Sequence, residues 1–173
     1  QCVLAWEQSQ QLTLPPDLGA VSTITVVGMG GSAIGGALVQ GLLAGECDIP
    51  ITVVRDYALP AFVQGPSNLV IASSYSGNTE ETISCFEQAQ ARNARTLAIT
   101  TGGKLADLAR QAGAPVVPFD YESQPRAALG YSFTLLLGVI QQLELVRDYS
   151  DDIREAADAM NAWQEEIGID VPR

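Results

Sequence analysis

Two short stretches of this sequence concentrate glycines and hydroxyls in a way that suits an anion. The first is Gly28-Met29-Gly30-Gly31-Ser32-Ala33-Ile34-Gly35-Gly36, and the second is Ser73-Ser74-Tyr75-Ser76-Gly77-Asn78-Thr79-Glu80-Glu81-Thr82. Glycines let a backbone turn sharply and approach a ligand, while the free amides at a following helix start attract negative charge, helped by the helix dipole. Ser32 adds a hydroxyl donor to the first stretch. Ser74, Ser76 and Thr79 beside exposed amides would form a neutral cradle for phosphate oxygens that needs no Lys or Arg. Structural alternatives stand beside both readings. The glycines could serve only a tight turn and close helix packing, and Asn78 with Glu81 three residues on forms a capping-box-like pair. A third stretch, Ser123-Gln124-Pro125-Arg126-Ala127-Ala128-Leu129-Gly130, puts an arginine at a helix start, where the dipole disfavours it. Arg126 there suggests an anionic partner or a charge that develops during a reaction; an ion pair with Glu122 or Asp120 is the ordinary alternative.

The elements that would position these stretches are legible from hydrophobic patterning. Continuous apolar runs at Thr23 to Val27, Ile51 to Val54 and Leu69 to Ala72 read as strands buried on both faces, followed by Thr96 to Ile99 and a short edge strand within Pro115 to Phe119. Helical segments lie between them at Ser32 to Leu43, Glu80 to Ala91 and Leu105 to Ala112, the second carrying Ile83, Phe86 and Ala89 or Gln90 at helical spacing. Such alternation predicts an α/β fold: a doubly wound, five-stranded parallel sheet of flavodoxin-like order 2-1-3-4-5 with helices on both faces. In that order the crevice where strand order reverses separates the first and third strands. Those are the strands followed by the Gly/Ser and Ser/Thr stretches, so both loops face one cleft and a single phosphorylated small molecule is the economical ligand.

A further helix is expected from Pro125 through Ile140, apolar nearly all round, which fits burial against the sheet or an interface with another domain or subunit. Another, over Asp151 to Glu166, carries Ile153, Ala156, Met160 and Trp163 on one stripe and leads toward a Gly- and Pro-bearing linker. The expected organisation is an N-terminal helix over 1–11, a ligand-binding domain over 12–148, and a C-terminal helix and linker over 149–173.

Composition narrows the partners. The chain has 173 residues with 47% hydrophobic and 17% charged residues, enough apolar material for one core and too little charge for a disordered chain. Nine basic against twenty acidic residues give a formal charge of −11, which opposes nucleic-acid binding. There is no histidine, so a Ser-His-Asp triad and histidine-based zinc sites are excluded within this chain. Cys2, Cys47 and Cys85 are odd in number and widely spread, as expected of reduced thiols in a cytoplasmic protein. No apolar run approaches the roughly 20 residues of a membrane span, and Gln1 to Gln10 lacks the order of a signal peptide.

Taken together, GMGGSAIGG, SYSGNTEET and QPRAALGYS resemble the N-terminal sugar isomerase (SIS) domain of bifunctional phosphoglucose/phosphomannose isomerases, over roughly Leu12 to Val146. The serine-rich loop marks SIS domains generally, including phosphosugar-binding regulators; the other two motifs are more specific to the isomerases. The resemblance implies a ligand phosphate on Gly31 and Ser32 and on Ser74, Ser76 and Thr79, with Arg126 near the reacting carbons. It implies interconversion of glucose 6-phosphate or mannose 6-phosphate with fructose 6-phosphate by proton transfer between C1 and C2, without cofactor or metal. It also implies a homodimer and a second SIS domain that supplies a glutamate base, a ring-opening histidine and a lysine. This chain departs from the pattern there, having Lys104 as its one lysine in a different context, and is expected to be the phosphate-binding half, inactive by itself.

Two other readings use the same residues. A non-catalytic phosphosugar-binding module would need the same pocket. Dinucleotide binding is suggested by Gly28-x-Gly30-x-x-Ala33 after a strand, but the usual acidic residue about 20 positions on is missing from the expected strand end and the pattern leaves SYSGNTEET unexplained.

Overall fold

A computed structural model describes residues 1–167. Five parallel strands, β1 (Thr23–Val27), β2 (Ile51–Val54), β3 (Asn68–Ser74), β4 (Arg95–Thr100) and β5 (Val116–Pro118), form one sheet in the order β2-β1-β3-β4-β5. This is the doubly wound order expected from the sequence, with the proline-bearing β5 at an edge. The strands read as continuous apolar runs because helices cover both faces. Ile24, Val26, Leu69, Ile71, Leu97 and Ile99 point into a core shared with α1 (Cys2–Gln10), α2 (Gly30–Leu43) and α5 (Leu129–Gln142). Alternate residues point the other way: Val27 and Val70 meet Cys85 and Ala89 of α3 (Glu80–Ala91), and Ala72 and Ala98 meet Phe86 of α3 and Leu105 of α4 (Gly103–Gln111).

One expectation about the helices needs adjustment, and one alternative is settled. The helix expected from Pro125 starts as a single 3-10 turn, Pro125–Ala128, with the Ala127 amide donating to the Gln124 carbonyl at 2.8 Å; regular α5 begins only at Leu129. Its apolar stretch from Leu135 to Ile140 is buried within this chain, under α1 and α2 and against β4. Gly138 permits the close approach of α1, since a Cβ there would collide with the Ser9 side chain. Simple burial, rather than an interface, therefore accounts for that stretch.

The last helix, α6 (Ser150–Ile167), buries Ile153 but leaves Met160, Trp163 and Ile167 exposed. It is fastened at its start. The Trp6 indole donates to the Ser150 hydroxyl at 3.1 Å, and buried Tyr149 donates to Glu46 at 2.6 Å with the Arg147 guanidinium over its ring. Burial first, then Glu46, pushes the Tyr149 hydroxyl up to about 12. The linker expected over 168–173 lies outside the described residues. No helix among the described residues is long and apolar enough to cross a membrane.

Candidate functional site

β1 and β3 are hydrogen-bonded neighbours, with Val27 opposite Ala72, so the loops leaving their carboxyl ends stand side by side. The first is short. The Gly28 amide continues the sheet by donating to Val54, and α2 begins at Gly30, whose φ of +50° suits glycine. Gly28 has no room for a side chain, because a Cβ would lie 2.8 Å from the Ser73 carbonyl oxygen. Met29 precedes the helix and provides no side-chain cap, so the first amides of α2 keep their donors free of side-chain acceptors.

The second loop is tied to itself. The Ser74 and Thr79 hydroxyls are 2.8 Å apart, the Gly77 amide donates to the Ser74 hydroxyl at 3.1 Å, and the Asn78 amide donates to the Ser76 hydroxyl at 3.2 Å. Gly77 has a φ of +66° and packs directly on the Gly102 backbone. The capping-box alternative is not what forms. Thr79, not Asn78, is the residue that precedes α3, and it makes no side-chain cap. Asn78 instead accepts from the Lys104 amide at 3.1 Å, capping the neighbouring α4. Glu80 and Glu81 occupy the first turn of α3, where they suit the dipole. Glu81, together with burial and Glu80, raises the exposed Tyr57 phenol above its ordinary value.

A cavity of about 200 Å³ opens between the loops, lined by Met29, Gly30, Gly31, Ser32, Tyr75, Ser76, Thr79 and Pro125. Of the residues singled out in the sequence, Gly31, Ser32, Ser76 and Thr79 line it. Ser74 does not: it is 2% exposed and stands behind the loop, holding Thr79 and Gly77. Arg126 is exposed and outside the lining, although its backbone passes close to Gly31, where a Cβ would meet the Pro125 oxygen at 3.1 Å and the Arg126 Cα at 3.6 Å. Among the described residues Arg126 forms no ion pair, so neither Glu122 nor Asp120 holds it. Among the described residues no carboxylate, lysine, arginine or cysteine lines the cavity, and its polar groups are hydroxyls and helix-start amides. That set can receive an anion by hydrogen bonding, without a neutralising cation.

Tyr75 and Pro125 are the wall residues that sequence reasoning left undefined. The Tyr75 hydroxyl donates to the Tyr121 carbonyl at 2.5 Å and accepts from the Ser123 amide at 2.9 Å, and its ring meets Phe119 edge-on at 5.8 Å. It therefore packs and lines the cavity at once. Its place in SYSGNTEET was a signal that it stood near the site, but its partners, 46 and 48 residues away, left no local trace.

Comparison with known proteins places these features in a wider group. No protein-family model matches the chain. It is 42% identical over 168 residues to the bifunctional phosphoglucose/phosphomannose isomerase of Caldicellulosiruptor bescii, covering 97% of this chain and 49% of the other. The protein of the same name from Thermoplasma acidophilum is 37% identical over 159 residues, covering 88% and 47%. The chain thus spans about half the length of these curated relatives. Among solved structures, tagatose-6-phosphate ketose/aldose isomerase from Escherichia coli aligns with a TM-score of 0.67 at 20% identity, over 93% of this chain and 51% of that one, a likeness of fold.

Proposed function

This chain belongs to the family of the bifunctional phosphoglucose/phosphomannose isomerases, about half of whose length it spans, and from that premise we propose that it is the sugar-phosphate-binding half of an aldose-ketose isomerase. The observation that carries the proposal is the convergence of two hydroxyl-rich and glycine-rich loops on one uncharged cavity at the β1/β3 crevice. The phosphate of glucose 6-phosphate, mannose 6-phosphate or fructose 6-phosphate sits on Gly31, Ser32, Ser76 and Thr79. Ser74 acts by fixing Thr79 and Gly77. Helix-start amides and neutral hydroxyls suit a dianion in a chain whose overall charge is −11.

Isomerisation moves a proton between C1 and C2, which needs a base and a group that stabilises the oxyanion formed on the way. Arg126, next to Pro125 of the cavity wall and without an ion pair among the described residues, is the group in this chain suited to the second task. The base and ring-opening group come from a second SIS domain, so this chain by itself binds without turning over. The same reading gives a homodimer and places the protein in the cytoplasm, which the three free cysteines support.

Titration of the 173-residue chain with fructose 6-phosphate and, separately, NAD tests the proposal by calorimetry. Fructose 6-phosphate is expected to bind, Ser76→Ala to weaken it at least tenfold, and Arg126→Ala to change it by no more than about threefold. Binding of NAD without fructose 6-phosphate would assign the glycine loop to a dinucleotide and sink the isomerase reading.

A further inference from the structure

We propose that Tyr75 is a positioning residue whose hydroxyl holds the 121–126 segment against the phosphate cradle, so that Pro125 closes the sugar side of the cavity. The inference rests on the sugar-phosphate reading above and divides that site into two parts: two loops that take the phosphate, and a third segment, under Tyr75's control, that meets the sugar.

Residues 119–124 belong to neither helix nor strand, so their backbone groups must find partners elsewhere. Tyr75 provides two, accepting from the Ser123 amide at 2.9 Å and donating to the Tyr121 carbonyl at 2.5 Å. The tyrosine is itself fixed from the opposite side, because its carbonyl accepts from the Thr101 amide at 3.2 Å and the Thr101 hydroxyl at 2.7 Å. Its ring packs edge-on against Phe119, and Tyr131 stacks on both Phe119 and Tyr121 at 5.5 and 5.0 Å. The hydroxyl's one proton and one of its lone pairs are therefore committed to the wall, not to a ligand. Two residues beyond Ser123, Pro125 lines the cavity, its carbonyl packed close to Gly31.

The phosphate donors do not depend on this clamp in the same way. Gly31 and Ser32 belong to α2, and Ser76 and Thr79 to the self-bonded loop after β3. Removing the Tyr75 hydroxyl leaves those groups in place and frees the wall, which a sugar-bearing ligand must then order as it binds.

Tyr75→Phe keeps the ring and its place in the lining. The test is calorimetric titration of wild type and this variant with inorganic phosphate and with fructose 6-phosphate, together with hydrogen exchange of the free proteins. The expected result is phosphate affinity within about twofold of wild type and roughly tenfold weaker fructose 6-phosphate binding, in keeping with the loss of two modest hydrogen bonds. Exchange should rise over 121–126 and not in the sheet. A general structural role would weaken both ligands alike, so equal loss, no loss, or unchanged exchange would overturn the assignment. Ser123→Pro removes the amide at the other end of the same bond and should reproduce the split; it carries the test if Tyr75→Phe does not fold, and an unsplit response there overturns the proposal too. Failure of wild type to bind either probe would sink the sugar-phosphate reading and this inference with it. Normal wild-type binding with an unchanged Tyr75→Phe would sink this inference alone.

Discussion

The loops after β1 and β3 face each other across one crevice and are built by opposite means. The 28–36 stretch, a short turn and the start of α2, works through missing side chains: Gly28 admits the Ser73 carbonyl, Gly31 admits Pro125, and Gly35 and Gly36 let α2 lie close to Ser132 of α5 and Val26 of β1. The 74–79 loop works through hydroxyls bonded within it, Ser74 with Thr79 and the Gly77 amide, and Ser76 with the Asn78 amide. One loop makes room and the other holds shape. Within these motifs the hydroxyls are placed differently: Ser32 and Ser76 line the cavity, whereas Ser74 is buried behind it and bonds Thr79 and Gly77.

The largest effect expected from this contrast is on stability. Gly77→Ala forces a Cβ into the Gly102 backbone at a φ of +66° and should destabilise the fold by ~3 kcal/mol or more. Gly30→Ala, at a φ of +50° with open space around it, should cost only about 1 kcal/mol. Urea denaturation of the two variants measures the difference, and equal costs would break the contrast. Next in size is the serine pair. Ser74→Ala should cost about 1–2 kcal/mol, because it strips a partner from the Gly77 amide and the Thr79 hydroxyl, and should weaken fructose 6-phosphate as a consequence. Ser32→Ala should leave stability within about 0.5 kcal/mol while weakening the ligand roughly tenfold. A Ser32→Ala variant that loses stability but keeps its ligand would reverse the roles assigned here.

These roles mark how far the sequence could be read. Strand order was legible, and so were the limits of Thr23–Val27, Ile51–Val54 and Glu80–Ala91, which carry strong periodic or continuous apolar patterns; β3 instead runs on through Ser73 and Ser74, past the expected Ala72, and α2 starts at Gly30 rather than Ser32. The location of the cleft followed from topology once the two motifs were placed on strands one and three. What could not be read was the division of labour inside the motifs. Nothing in the spacing of Ser74 and Ser76 says that one is buried and the other lines a cavity. Asn78 looked like a cap for its own helix and caps α4 instead, because the contact crosses 26 residues of sequence. The 3-10 turn at Pro125 was equally hidden, because a proline at a helix start fits either helix type.

The smallest expected effects concern pH, and they separate the cavity from the helix launched beside it. Because the residues lining the cavity include no carboxylate, amine, thiol or imidazole, affinity for a phosphate ligand between pH 5 and 8 should follow the ligand's own second ionisation near pH ~6, weakening below it. Sulfate, fully ionised throughout, is the control and should bind with little change over that range. Stability should respond in a different window. Cys85 lies on the buried face of α3, where its thiol donates to the Asp56 carbonyl at 3.2 Å. Burial, and then the Asp56 carboxylate, push it up to about 11 from an ordinary value of 9.0. A thiol whose folded pKa is raised binds its proton more tightly in the native state, so its contribution is complete below pH 9.0 and is lost as the pH rises toward 11. Denaturation midpoints should therefore fall between those values in wild type and fall less in Cys85→Ala. A sulfate affinity that varied between pH 5 and 8 would mean that a titrating protein group reaches the ligand, and the picture of two loops binding through neutral donors alone would have to be abandoned.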